Sequence, residues 1–146
     1  MTLSRVFIAA VMLLSLAAGS LVAPRLTHAQ SGQAAPGRVF ELRVYHTLPG
    51  RLPALQANFR DHNVAYLKKH GITSIGYWIP QDPPASENTL IFIVAHESRE
   101  AADRNWKEFR ADPEWQKLAQ ASRAGGEIVE KIDSTFMTPT DYSAMK

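Results

Sequence analysis

The sequence predicts a small α+β sandwich with the order strand–helix–strand–strand–helix–strand. Three observations predict it. Between residues 39 and 137, stretches of two-residue apolar alternation give way twice to apolar spacings of three and four. Both helical stretches are bracketed by start and stop signals, Pro53 and Gly71 for the first, Ser98 and Gly125-Gly126 for the second. Residues 89–95 are apolar on both strand faces, with Leu90, Phe92 and Val94 against Ile91, Ile93 and Ala95. That pattern marks a central strand covered on both sides.

Residues 1–29 read as a cleavable leader. Arg5 precedes the apolar run 6–18, and Thr27-His28-Ala29 offers a small residue at the cleavage position. The mature chain is therefore expected to begin at Gln30 and to be periplasmic or secreted. Ser15, Gly19 and Ser20 interrupt the apolar stretch, which argues against a stable membrane anchor. The 117 residues that remain suit one domain with a hydrophobic core. The leader carries two arginines and no acid, so the 16 basic residues fall to 14 and equal the 14 acidic ones. A neutral domain lacks the electrostatic footprint of a nucleic-acid partner. With no cysteine in the chain, an exported domain must be held by its core or by oligomerisation.

Residues 30–38 form a Gly/Ser/Gln/Ala-rich flexible lead-in, 39–139 the domain, and 140–146 a tail. The first strand, 39–47, alternates Phe40, Leu42, Val44 and His46 with Glu41, Arg43 and Tyr45. Leu48-Pro49-Gly50 closes it. The first helix, 51–70, sets Leu55, Phe59, His62 and Tyr66 within an arc of roughly 60°, a narrow buried stripe. Lys68, Lys69 and His70 suit its negative end, and Gly71 its left-handed cap. Strands 72–79 and 89–97 flank a proline-rich loop at 80–88. Ser98 caps the second helix, which turns Ala102, Trp106 and Phe109 inward. Asp112-Pro113-Glu114 then restarts the helix with a cap, a proline at the first helical position and an acid at the positive dipole end. Trp115, Leu118, Ala119 and Ser122 form the inward stripe of that segment, and residues 128–137 are the last strand.

Two strand–helix–strand units in tandem give a ferredoxin-like βαββαβ sandwich, a four-stranded antiparallel sheet with helices on one face. The doubly apolar third strand asks for cover on the other face. A second copy packed sheet to sheet supplies it, giving a homodimer in the form of a dimeric α+β barrel. Glu41, Arg43 and Tyr45 are expected on the face lining the barrel interior. The pieces Phe40-Glu41-Leu42-Arg43-Val44-Tyr45, Lys69-His70-Gly71, Gly76-Tyr77-Trp78 and Asp112-Pro113-Glu114-Trp115-Gln116, in this order and spacing, resemble the NIPSNAP family within the dimeric α+β barrel superfamily. The resemblance runs from Phe40 to about Pro139. It implies the barrel fold, a homodimer, and a binding or signalling role rather than a defined reaction.

His62, Tyr66, Arg43, Tyr45 and Trp78 are the candidates for a ligand site. His62 and Tyr66, one helical turn apart, either line a pocket between helix and sheet, with His62 as acid, base or orienting group, or are core residues satisfied by protein partners. Arg43 requires a carboxylate, from Glu41 or Glu130, and reads either as anion recognition or as a structural ion pair. Trp78, Trp106 and Trp115 can stack on an aromatic ligand or fill the core. No residue is assigned as catalytic. No His-x-His, His-Glu-x-x-His or thiolate set provides for a metal, and no cofactor is implied, although one axial histidine could hold haem without any motif. Serine-hydrolase, Walker and dinucleotide motifs are absent. Two functional readings stand. One is a non-enzymatic binding module for a small apolar or amphipathic ligand or a protein partner. The other is a cofactor-independent monooxygenase or isomerase acting on a small aromatic or polyketide-like substrate. A roomy cavity beside Tyr66 would favour the second, filled packing the first.

Overall fold

A computed structural model describes residues 37–146, so the expected leader and most of the lead-in lie outside the described residues. Strands β1 (Val39–Thr47), β2 (Thr73–Trp78), β3 (Thr89–His96) and β4 (Val129–Met137) form one antiparallel sheet in the order β2-β3-β1-β4. Each strand–helix–strand unit leaves a gap between its own two strands, and a strand of the other unit fills it. The doubly apolar β3 is central, as its sequence requires. It pairs with β1 in a register that sets Glu41 beside Val94 and Arg43 beside Phe92.

The sheet does not close. β2 and β4 are free edges, which corrects the expected dimeric α+β barrel to an open four-stranded sheet with flanking helices. Closure of the sheet would need β2 to pair with β4, and these are the outer strands, held apart by β3 and β1.

The faces of β1 are also the reverse of expectation. Glu41, Arg43 and Tyr45 point into the helix layer, where the Glu41 carboxylate meets the indole of Trp106 and the Tyr45 ring packs edge-on to Phe59. Leu42, Val44 and His46 share the open face with Ile91, Ile93 and Trp78, as the strand register places them. The usual rule puts the apolar set under the helices. Here the polar set goes there because it satisfies itself internally.

The first helix is continuous through three parts: α1 (Leu52–Asn58), a π-helical turn (Phe59–Asn63) and α2 (Val64–Lys69). The Val64 amide donates to the Phe59 carbonyl, one residue further back than in an α-helix. The wide turn shifts the buried stripe, so the buried successor of Phe59 is Leu67 and Tyr66 is left half-buried. In the proline-rich loop lies a single helical turn, α3 (Ala85–Asn88). The second helical region divides as its sequence indicates, into α4 (Arg99–Ala111), capped by the Ser98 hydroxyl, and α5 (Pro113–Ser122), capped by Asp112. The core lies between these helices and the sheet, with Leu55, Phe59, Leu67, Phe92, Val94, Trp106 and Phe109 among its buried members.

Gly71 ends the first helix with φ +71°, and a Cβ there would stand 3.1 Å from the Asn105 amide nitrogen. That amide donates to the Gly71 carbonyl and ties the helix end to α4. Gly71→Ala is expected to lower unfolding stability by about 1–2 kcal/mol, measured by urea denaturation.

Candidate functional site

Four hydrogen bonds converge on one buried carboxylate beneath the helices. Glu41 Oε1 accepts from Arg43 Nη1 and from the Ser134 hydroxyl, each at 2.6 Å. Oε2 accepts from Trp106 Nε1 at 2.6 Å and faces His96 Nε2 at 3.1 Å. Burial alone would raise the pKa of this group. The hydrogen bonds from His96, Ser134 and Trp106 and the charge of Arg43 outweigh burial and hold the pKa at about 2. The Arg43 guanidinium lies over the Trp106 ring, 4.4 Å from its centroid, and its Nη2 donates to the Tyr45 hydroxyl at 3.3 Å.

Beside this network is a cavity of about 280 Å³ between the sheet, the first helix, α4 and α5. Arg43, Tyr45 and Phe92 form its sheet side, and Phe59, His62 and Asn63 line it from the first helix. The outer wall is α5, through Trp115, Leu118, Ala119 and Ser122, the full stripe that its sequence turns inward. None of those four residues is fully buried, although the Trp115 ring packs 4.5 Å from that of Phe109. The π-helical turn contributes here, because it presents both His62 and Asn63 to the cavity, and Asn63 Oδ1 accepts from Trp115 Nε1 at 3.4 Å.

Of the five sequence candidates, the structure brings Arg43, Tyr45 and His62 together around this cavity. Tyr66 does not join them. Its hydroxyl is 3.5 Å from a Glu114 oxygen, and Lys69 Nζ lies 5.1 Å from its ring centroid. Trp78 is on the opposite sheet face, lying against Gly76 so closely that a Cβ at residue 76 would meet the indole at 2.7 Å. Arg43 takes its carboxylate from Glu41 rather than Glu130, within one strand. Of His46, His62, His70 and His96, only His62 lines the cavity. His46 faces Asp133, and His96 is fully buried against Glu41. His70 faces Asp112 at 2.9 Å.

Asp112 does more than the helix start that its sequence implies. Oδ1 accepts from the Glu114 and Trp115 amides, while Oδ2 accepts from Lys69 Nζ and faces His70 Nε2. Lys69, His70 and then the α5 amides hold its carboxyl well below the usual range. Two sequence signatures far apart in the chain, Lys69-His70-Gly71 and Asp112-Pro113-Glu114, thus meet and fix the outer wall to the first helix. Sequence reasoning missed Arg110, Arg123 and Glu127 at the cavity. Their only signal is proximity to the ends of helices whose inward stripe contains residues too small to fill the space.

An α+β protein with an open sheet and a cavity under its helices is thereby defined, and comparison with known proteins places it. The NIPSNAP family model matches residues 40–144, and the chain belongs to the NIPSNAP family. A NIPSNAP family protein of unknown function from Agrobacterium tumefaciens is 22% identical, with a TM-score of 0.66, covering 76% of this chain and 96% of that one. An uncharacterized NIPSNAP-like domain protein from Burkholderia xenovorans is 19% identical, with a TM-score of 0.64, covering 74% and 90%. A monooxygenase from Streptomyces coelicolor, solved in complex with nanaomycin D, shares the fold at 17% identity and a TM-score of 0.51, covering 76% and 95%. No curated protein matches the chain.

The Glu41 network makes a sign-specific prediction. The folded pKa lies below the ordinary 4.5, so the folded state binds fewer protons than the unfolded state between the two values. The stabilisation is complete above about pH 4.5 and is lost as pH falls towards 2, amounting to about 3 kcal/mol. Glu41→Gln is expected to lose about 3–5 kcal/mol at neutral pH, because a donor then faces donors and Arg43 loses its partner. Urea denaturation across this pH range should find the acid-dependent component in the wild type and not in the variant.

Proposed function

We propose that this NIPSNAP protein is a small-molecule binding protein whose ligand occupies the space between the helices and the sheet. The observation that carries the reading is the 280 Å³ cavity with the whole inward stripe of α5 along its wall. The cavity reaches the surface at Arg110, Arg123, Glu127 and Ile132, so a ligand has a way in, and its volume is close to the roughly 300 Å³ at which ligand sites begin. Phe59, Phe92 and Trp115 give the volume an apolar lining, which suits a compact hydrocarbon or aromatic body. Binding is favoured over turnover because, among the described residues, the cavity has no nucleophile paired with a base, the Ser122 hydroxyl donating to the Ala119 carbonyl instead. The monooxygenase reading has only the shared fold behind it, and Tyr66, which it needs, stands outside the cavity.

The ligand class is tested with small cycloalkyl probes, cyclohexanecarboxamide or its parent acid, followed by tryptophan fluorescence, since Trp106 and Trp115 line the site. Saturable binding to the wild type is expected, weakened at least about tenfold by Ala119→Phe, which fills the cavity from α5. Unchanged binding in that variant would remove the cavity as the site.

The reading also includes a homodimer through the exposed sheet face, each sheet remaining open. Leu42, Val44, Ile91 and Ile93 are half-buried on that face, and Trp78 is 48% exposed beside them. A two-fold contact covers this apolar set by using one patch twice. Sedimentation velocity at micromolar concentration should give a dimer for the wild type and a folded monomer for Ile93→Asp. A wild-type monomer would end the dimer reading and leave the cavity reading standing.

A further inference from the structure

We propose that the ligand is a monoanion, an apolar body ending in a carboxylate, with its oxygens received by the Tyr45 hydroxyl and the Arg110 guanidinium. The inference rests on the proposed binding role of the cavity and adds the charge and the orientation of what binds there.

The charge follows from the wall. Arg43, Arg110, Arg123 and Glu127 are its charged residues. Arg43 is neutralised by Glu41 at 2.6 Å. Arg123 has Glu127 at 3.9 Å. Arg110, on the last turn of α4, has no ion pair among the described residues, so one positive charge remains over. Arg110 also suits the negative end of α4, yet its charge stands at the cavity without an ion pair among the described residues, and a monoanion would leave the occupied site neutral.

Orientation follows from Tyr45. Its oxygen accepts from Arg43 Nη2, and no acceptor for its own proton stands within reach among the described residues. A phenol that accepts from a guanidinium is a stronger donor in turn, because the bound cation polarises the O–H. Burial and, to a lesser degree, the charge of Glu41 push the Tyr45 hydroxyl up and keep it protonated, against the pull of Arg43 and, most weakly, Arg110. Tyr45 and Arg110 line the same cavity, so the charge of Arg110 would act on a carboxylate hydrogen-bonded to the Tyr45 hydroxyl. The Tyr45 ring contacts Phe59 and Phe92 at centroid distances of 5.7 and 5.2 Å, so the polar end of the cavity adjoins its apolar lining directly. A ligand with one charged end and one hydrocarbon end matches both.

The test compares cyclohexanecarboxylate with cyclohexanecarboxamide, equal in size and different in charge, on the full chain at neutral pH. The acid is expected to bind at least about tenfold more tightly than the amide at low salt, and the preference should shrink as ionic strength rises. Arg110→Gln should reduce the preference to about twofold or less while amide binding persists, and Tyr45→Phe should weaken the acid about five- to tenfold. Arg123→Gln, whose charge already has a partner, should keep most of the preference. Equal or tighter binding of the amide would overturn the anionic ligand but leave the cavity reading intact. Loss of the preference to the same extent in the Arg123 variant would overturn the Tyr45–Arg110 seat. Binding of neither probe would overturn the cavity reading and the inference with it.

Discussion

Donors from β1, β3, β4 and α4 meet on the single carboxylate of Glu41, and the rest of the domain is arranged around that meeting. A buried charge is costly unless it is paired and its lone pairs are occupied. Glu41 meets both conditions only if three strands are in register and α4 delivers its indole to the same point. A shift of one residue in β1 would turn the carboxylate, with Arg43 beside it, to the open face and leave His96 and Trp106 without their shared acceptor. The network therefore specifies strand register and helix placement at once, which apolar packing alone does loosely. It also settles which face of β1 is covered, and so where the cavity and the exposed apolar face must lie.

Much of the architecture was legible from residues alone. The four strands, the two helical regions, the Ser98 and Asp112 caps, and the central position of 89–95 follow from local chemistry with short reach. The closed barrel and the face of β1 did not follow. Alternation says that Glu41, Arg43 and Tyr45 share a face, but choosing the face depends on partners at residues 96, 106 and 134, which no period reveals. The stripe on the first helix failed for a different reason. A constant angle per residue was assumed, and the π-helical turn at 59–63 breaks it in the middle.

The candidate site was half legible for the same reasons. Arg43, Tyr45 and His62 are drawn together by the sheet and the wide turn in the middle of that helix, whereas Tyr66 is carried away by it and Trp78 belongs to the other side of the sheet. The stripe Trp115, Leu118, Ala119, Ser122 was read correctly as inward-facing. Whether an inward face meets side chains or open volume depends on distances between elements, and the small residues at 119 and 122 are the one local hint that the space is kept open.

The wide turn in the first helix limits how the chain can drift in length. An α-helix turns about 100° per residue, so the loss of one residue from 59–63 is absorbed by a return to ordinary winding, whereas adding one would rotate everything downstream by about that angle. Lys69 and His70 would swing off Asp112, and Gly71 would no longer end the helix beside Asn105. Insertions in this stretch are thus expected to be far rarer among descendants of this gene than the loss of a single residue. By contrast, the loop at 80–88 and the tail beyond Met137 can lengthen or shorten with no such mechanical linkage to the outer wall.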